Sequence, residues 1–290
     1  MPVLKADKTS SVRTDLPKPI VGLVRFSLVL RHANYFPRLK GVSFEERVAQ
    51  VFESSRLERR FELFESICLP SLTSQSDQGF NVAVLTSKFL PDWAMERLRD
   101  SLSGIKNVYV RPFRPNANYM NIARRAVFEL LDHHAPVYAS FNLDDDDALA
   151  SDYVARVRSY LTKENIGKAL TFQNGYELTI SGGDLRLRRD RRPKASAGLV
   201  GINAGPIGDV ADVVSIFEYG GHRNVDARVP LITDTTEDMY VQSANGANVS
   251  LRTGQEIQET VLMSSEIAAQ LAPKFPYLTA EVIEALNRSV

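Results

Sequence analysis

Four consecutive aspartates, Asp144 to Asp147, are the residues of this chain best placed to do chemistry. Their carboxylates repel one another, and at the end of a buried strand they cannot disperse into solvent as they would on a helix face. Something cationic should hold them. Oxygen donors suit a hard divalent ion, Mg²⁺ or Mn²⁺, which keeps part of its shell for water and substrate phosphate. The expected chemistry is metal-assisted handling of a phosphate-bearing substrate at the carboxyl edge of a sheet, where open α/β folds place their ligands.

The elements that must position these groups are legible on either side. Val137, Ala139, Phe141 and Leu143 alternate with the period of a β-strand that ends at the acidic run. Val154, Val157 and Leu161 then fall on one face of an amphipathic helix. The order is strand, acidic turn, helix. A solvated turn, with Ser151 or Asp152 capping that helix, is the competing reading of the same run, because charge runs are commonly just solvated.

With 290 residues, 44% of them hydrophobic and 24% charged, the chain can bury a core without staples. Lys plus Arg and Asp plus Glu are equal at 35 each, so no global field favours nucleic acid or an acidic membrane. The single cysteine, Cys68, excludes an intrachain disulfide and points to a reducing compartment, with a buried structural thiol the expected role. Arg25 interrupts the longest apolar run, Val21 to Leu30, and no stretch approaches the ~20 residues needed to span a bilayer. Residues 1–18 lack the apolar core of a signal peptide and read as a mobile lead-in. A cytoplasmic protein is expected, with peripheral attachment to the inner membrane left open.

In chain order, Val21–Leu30 predicts a first strand buried on both faces. Helical character runs from Glu46 to Leu72, with a kink or break at Pro70. Strands at Phe80–Thr86 and Val108–Val110 alternate with helices opening at Pro91 and spanning Asn121–Leu131. This alternation argues a parallel α/β sheet. Beyond Glu164 the pattern changes. Asn174-Gly175 predicts a tight hairpin between Ala169–Gln173 and Tyr176–Ile180. The cluster from Arg186 to Lys194 is either a phosphate clamp or a solvated strand. Asp234, Glu237 and Asp238 read as first-turn acids of a helix at Met239–Gln242. Asn245–Asn248 reads as a turn, and the region from Glu256 as helix, a break at Pro273–Pro276, and a last helix from Thr279 to Asn287.

An α/β half ending in an acidic turn, followed by a mixed half, resembles the GT-A fold of nucleotide-sugar glycosyltransferases. The stretches Leu63–Gln75, Phe80–Leu85, Asn142–Leu149, Gly221-His222 and Gly246–Asn248 narrow the resemblance to a bacterial family of rhamnosyltransferases, over roughly residues 20–250. The resemblance implies a GT-A-like α/β fold: a mainly parallel central sheet flanked by helices, with a mixed or antiparallel second half. It implies one domain over residues 19–255, with a nucleotide-binding half (19–162) and an acceptor half (163–255), then a helical segment over 256–290. It also implies an Asp-x-Asp motif on a divalent metal, Mn²⁺ or Mg²⁺. Asp144 and Asp146 match that motif, while Asp145 and Asp147 fit the spacing too. Thr86-Ser87 stands where many such enzymes carry a base-reading aspartate, and Asn245-Gly246 stands where His-Gly is expected, so that a ligand role of that histidine is either missing here or taken over by His222.

The activity so implied moves a sugar, rhamnose by the family name, from a nucleoside diphosphate sugar to a hydroxyl of a saccharide or glycolipid acceptor. Asp144, Asp146, Asp147 and His222 are the expected metal ligands. Arg25, Ser27, Asp145, Arg188, Arg189 and Arg191 are expected around the nucleotide sugar, and Asp238, with Glu237 second, is the candidate base. A nucleotidyltransferase acting on a sugar phosphate is the alternative enzyme, although Leu30–Asn34 offers it no glycine-rich phosphate loop. A non-catalytic saccharide-binding module is the alternative of a different class.

Overall fold

The computed structural model describes residues 18–31, 41–181, 184–205, 207–245 and 261–288. Four strands, β1 (Ile20–Arg25), β2 (Asn81–Ser87), β3 (Val108–Phe113) and β4 (Val137–Asp144), lie parallel in the order β3-β2-β1-β4, with β3 at the half-buried edge. They are the four strands the apolar runs predict. β1 is shorter than its run because the chain turns at Ser27, whose φ is +46°. The sheet continues through β8 (Val200–Ala204), β6 (Ala169–Ser181), β9 (Leu231–Asn245) and β5 (Ala148–Leu149), with β7 (Asp184–Arg191) paired to β6. β8 runs antiparallel to both β4 and β6. The second half is therefore mixed.

Helices cover both faces. Ile20 and Val24 pack toward α2 (Ser54–Leu63), α3 (Leu69–Thr73) and α4 (Asp92–Ser101), while Val21 and Leu23 pack toward α5 (Tyr119–Leu130). The helical run before β2 is broken. α1 (Phe44–Val51) ends at Phe52, and the Glu53 side chain accepts the N–H groups of Ser55 and Arg56 to start α2. Ahead of Pro70 a π-helical turn, Phe64–Cys68, ties the Leu69 N–H to the Phe64 carbonyl. Proline has no N–H and its ring crowds the carbonyl four residues earlier, which displaces the regular ladder there. α6 (Tyr153–Tyr160) follows the acidic turn, and α7 (Ser264–Leu271) and α8 (Ala280–Arg288) close the chain around the break at Pro273–Pro276.

Two expectations are corrected. β6 and β7 pair without interruption from Asn174–Arg191 to Ser181–Asp184, so the chain does not reverse at Asn174-Gly175. Gly175 serves a close approach instead: a Cβ there would lie 2.4 Å from the Tyr240 carbonyl oxygen. The helix expected at Met239–Gln242 is strand β9, in which Met239 and Val241 enter the main core while Tyr240 faces the other way. Thr233, Thr235, Thr236, Tyr240 and Val241 are residues that favour a pleated surface. Of the turn expected at Asn245–Asn248, residues 246–248 lie outside the described residues, as does the start of the helix expected from Glu256.

Candidate active site

The chain passes from β1 to β2 and β3 on one flank, then places β4 on the other flank of β1. The crevice at the carboxyl ends of β1 and β4 is therefore a topological switch point, the position where such sheets bind ligands. The acidic turn lies there, closed by a hydrogen bond of 3.1 Å from the Asp147 N–H to the Asp144 carbonyl. Asp145, Asp146 and Asp147 are buried at 1%, 6% and 4% exposure, which excludes a simple solvated turn.

Successive carboxylates are held from different directions. Arg25, in register with Asp144 across β1 and β4, forms an ion pair with it. Desolvation alone would raise the Asp144 carboxyl, but Arg25 holds it below the ordinary carboxylate value. Arg60 of α2 grips Asp145 with two N–H groups, one of them at 2.9 Å. Burial outweighs that grip, so the Asp145 carboxyl stays raised. Asp147 accepts the Ser243 N–H at 3.1 Å and the Gln242 side-chain amide at 3.2 Å, both from β9. Burial, then Asp146 and Asp144, push its carboxyl well up. A network continues outward, because Gln242 also donates to Ser196 Oγ at 3.0 Å and accepts from Arg192 at 2.6 Å. His222 is half-buried near this edge. Burial, Arg223 and Arg192 lower its imidazole, and Asp144 opposes them.

Of the residues singled out from sequence, Arg25, Asp144, Asp145, Asp146, Asp147 and His222 gather at this edge. Ser27 follows Arg25 by two positions and is buried, with no hydrogen-bond partner for its Oγ. Asp238 and Glu237 do not reach the turn. Five residues, about 16 Å of strand, separate Asp238 from Ser243, and Asp238 is occupied by Arg189 at 2.8 Å and Tyr176 at 3.1 Å. Glu237 pairs with Lys274 at 3.2 Å. Arg188 pairs with Glu177 at 2.8 Å, and Arg191 is exposed at the end of β7, so β7 supplies no clamp over the turn. Arg192, one residue on, reaches toward it through Gln242. Sequence reasoning missed Arg60, Gln242 and Ser243. The one available signal was the run of arginines at 56, 59 and 60 on the helix after the first strand.

A metal fits here only in part. Among the described residues no group of three His, Cys, Asp or Glu side chains converges closely enough to hold an ion. A divalent ion would therefore draw most of its shell from water and substrate, as Mg²⁺ commonly does.

Residues 19–257 match the family model described as "Putative rhamnosyl transferase". The chain belongs to this family. No curated protein matches it. Among solved structures it is similar to residues 1–349 of S. aureus TarS, at 10% identity and a TM-score of 0.42, over 78% of this chain and 60% of that one. A longer TarS structure aligns at 11% identity and a TM-score of 0.37, over 78% and 37%. A "putative nucleotide-diphospho-sugar transferase" from Desulfovibrio desulfuricans G20 aligns at 11% identity and a TM-score of 0.36, over 94% and 97%. The chain thus spans 60% or less of the two TarS chains.

Proposed function

We propose that the chain moves a sugar, rhamnose by its family's description, from a nucleoside diphosphate donor to a saccharide hydroxyl at the acidic turn. The observation that carries this reading is the burial of three successive carboxylates, Asp145, Asp146 and Asp147, at the β1–β4 switch point. Asp144 and Asp146 would hold Mg²⁺ or Mn²⁺. Bound there, the ion supplies Lewis-acid neutralisation of the diphosphate leaving group. Arg25 orients Asp144 and, with Arg192, presents positive charge to the diphosphate, while the imidazole of His222, lowered by burial, faces the same edge as a neutral donor or acceptor. Gln242 and Ser243 fix Asp147 by hydrogen bonds and so set the shape of the turn. Asp238 and Glu237, engaged by Arg189, Tyr176 and Lys274, are not carried into this reading as the base.

Calorimetric titration of nucleoside diphosphates into the protein, with Mn²⁺, with Mg²⁺ and with chelator, tests the reading. Binding is expected to need metal and to vanish in Asp144→Ala and Asp146→Ala. Metal-independent binding, or none in a folded protein, overturns it.

A further inference from the structure

On the opposite side of the turn from Arg25 lies a cleft of about 710 Å³, walled by α1, by the start of α2 and by Asp145 and Asp146. Arg56, Arg59 and Arg60 all line it. Like charges three and four residues apart on a helix repel, so such a trio destabilises α2 unless anions meet it. The protein meets two of the three. Arg60 is spent on Asp145, and Arg59 pairs with Glu62 at 3.0 Å and donates to the Leu286 carbonyl at 3.0 Å. The Nε of Arg56 and the second Nη of Arg59 are buried without a hydrogen-bond partner among the described residues. Glu53, on the same wall, is already committed to the N–H groups of Ser55 and Arg56. Burial, with Arg60 next to it, lowers the affinity of the Arg56 guanidinium for its proton, as expected of a cation that lacks its anion.

The turn thus divides two cationic faces, with Asp144 held from one and Asp145 from the other. Glycosyl transfer brings two substrates to one carbon. Given that the donor diphosphate sits on the Arg25 side, as the reading above has it, we propose that the α1–α2 cleft receives the acceptor, and that this acceptor is a phosphorylated saccharide. Its phosphate is seated between Arg56 and Arg59. A tetrahedral oxyanion accepts from both guanidinium forks at once and relieves the repulsion along α2.

The test titrates inorganic phosphate, glucose 6-phosphate and glucose into the protein, with and without saturating metal and nucleoside diphosphate. Both phosphates should bind whether or not the nucleotide is present, and glucose alone should not. Affinity should fall about tenfold or more in the Arg56→Gln/Arg59→Gln variant and less in Arg56→Lys/Arg59→Lys, with nucleotide affinity retained and both variants folded at the temperature of the titration. Competition between phosphate and nucleotide, or loss of nucleotide binding in the Gln variant, would assign the cleft to the donor and overturn the proposal. So would phosphate binding that survives in that variant, or none at all. If phosphate binding behaves as expected but no nucleotide binds, the cleft stands as an oxyanion site and the donor reading alone falls.

Discussion

At the scale of single residues, the turn is a set of carboxylates each kept by a different compensation, and removing one exposes its size. Asp145 has a side-chain exposure of 2%, and Arg60, at 23%, is its ion-pair partner. Breaking a buried pair by deleting one member commonly costs about 3–5 kcal/mol, because the remaining charge is left without a partner. Arg60→Ala should therefore lose roughly 3 kcal/mol in urea denaturation, and adding Asp145→Asn should recover much of it. No recovery would mean that the loss comes from packing. Asp147 behaves in the opposite sense to a stabilising carboxylate. Its folded value lies above its unfolded one, so in the window between them the folded chain keeps a proton that the unfolded chain has released. Stability contributed by this group then falls as pH rises from about 4 toward the raised value. In metal-free buffer Asp147→Asn should remove that downward slope and be at least as stable at neutral pH. A variant less stable at pH 7 would show that the carboxylate is already satisfied.

At the scale of elements, packing explains which parts of the sequence could be read. β1, β2 and β4 were legible because strands buried on both faces are apolar runs ended by polar turns, and Pro70 was legible because a missing N–H acts locally. Gly175 misled for the opposite reason: it answers Tyr240, 65 positions away, with no chemical mark near it to distinguish that use from a turn. Asp234, Glu237 and Asp238 read as first-turn acids because their partners, Arg156, Lys274 and Arg189, are remote in sequence. The acidic turn itself was readable, whereas its holder Arg60, 85 residues earlier, was not. A close approach of the same kind sits beneath the site. Gly22 faces Phe141 across β1 and β4, and a Cβ on it would lie 2.5 Å from the ring. Gly22→Ala should cost about 1–3 kcal/mol by overpacking and weaken whatever binds at the turn, since Phe141 is three residues from Asp144. Phe141→Leu in the same chain should restore stability. If Gly22→Ala is neutral, the two strands have slack that the packing denies.

At the scale of the whole molecule, the site is assembled from distant parts. β1 supplies Arg25, α2 supplies Arg60, and β9 supplies Gln242 and Ser243, while α8 braces the same helix α2 through the Leu286 carbonyl. No helix among the described residues is long and apolar enough to cross a membrane. Because no three protein ligands converge among the described residues, metal and nucleotide should each bind weakly alone and strongly together, each completing what the other lacks. Linkage makes that coupling reciprocal. Melting curves should show little shift with Mg²⁺ alone or a nucleoside diphosphate in chelator, and a clear rise with both, because a ligand at a hundred times its Kd adds about 2.7 kcal/mol to the folded state. Asp146→Ala should abolish the joint rise without lowering the unliganded midpoint, since it removes one of the like charges that raise Asp147. A full shift with nucleotide in chelator would instead mean that the arginines hold the diphosphate unaided. In that case the acidic turn would serve the sugar or the acceptor and not the leaving group.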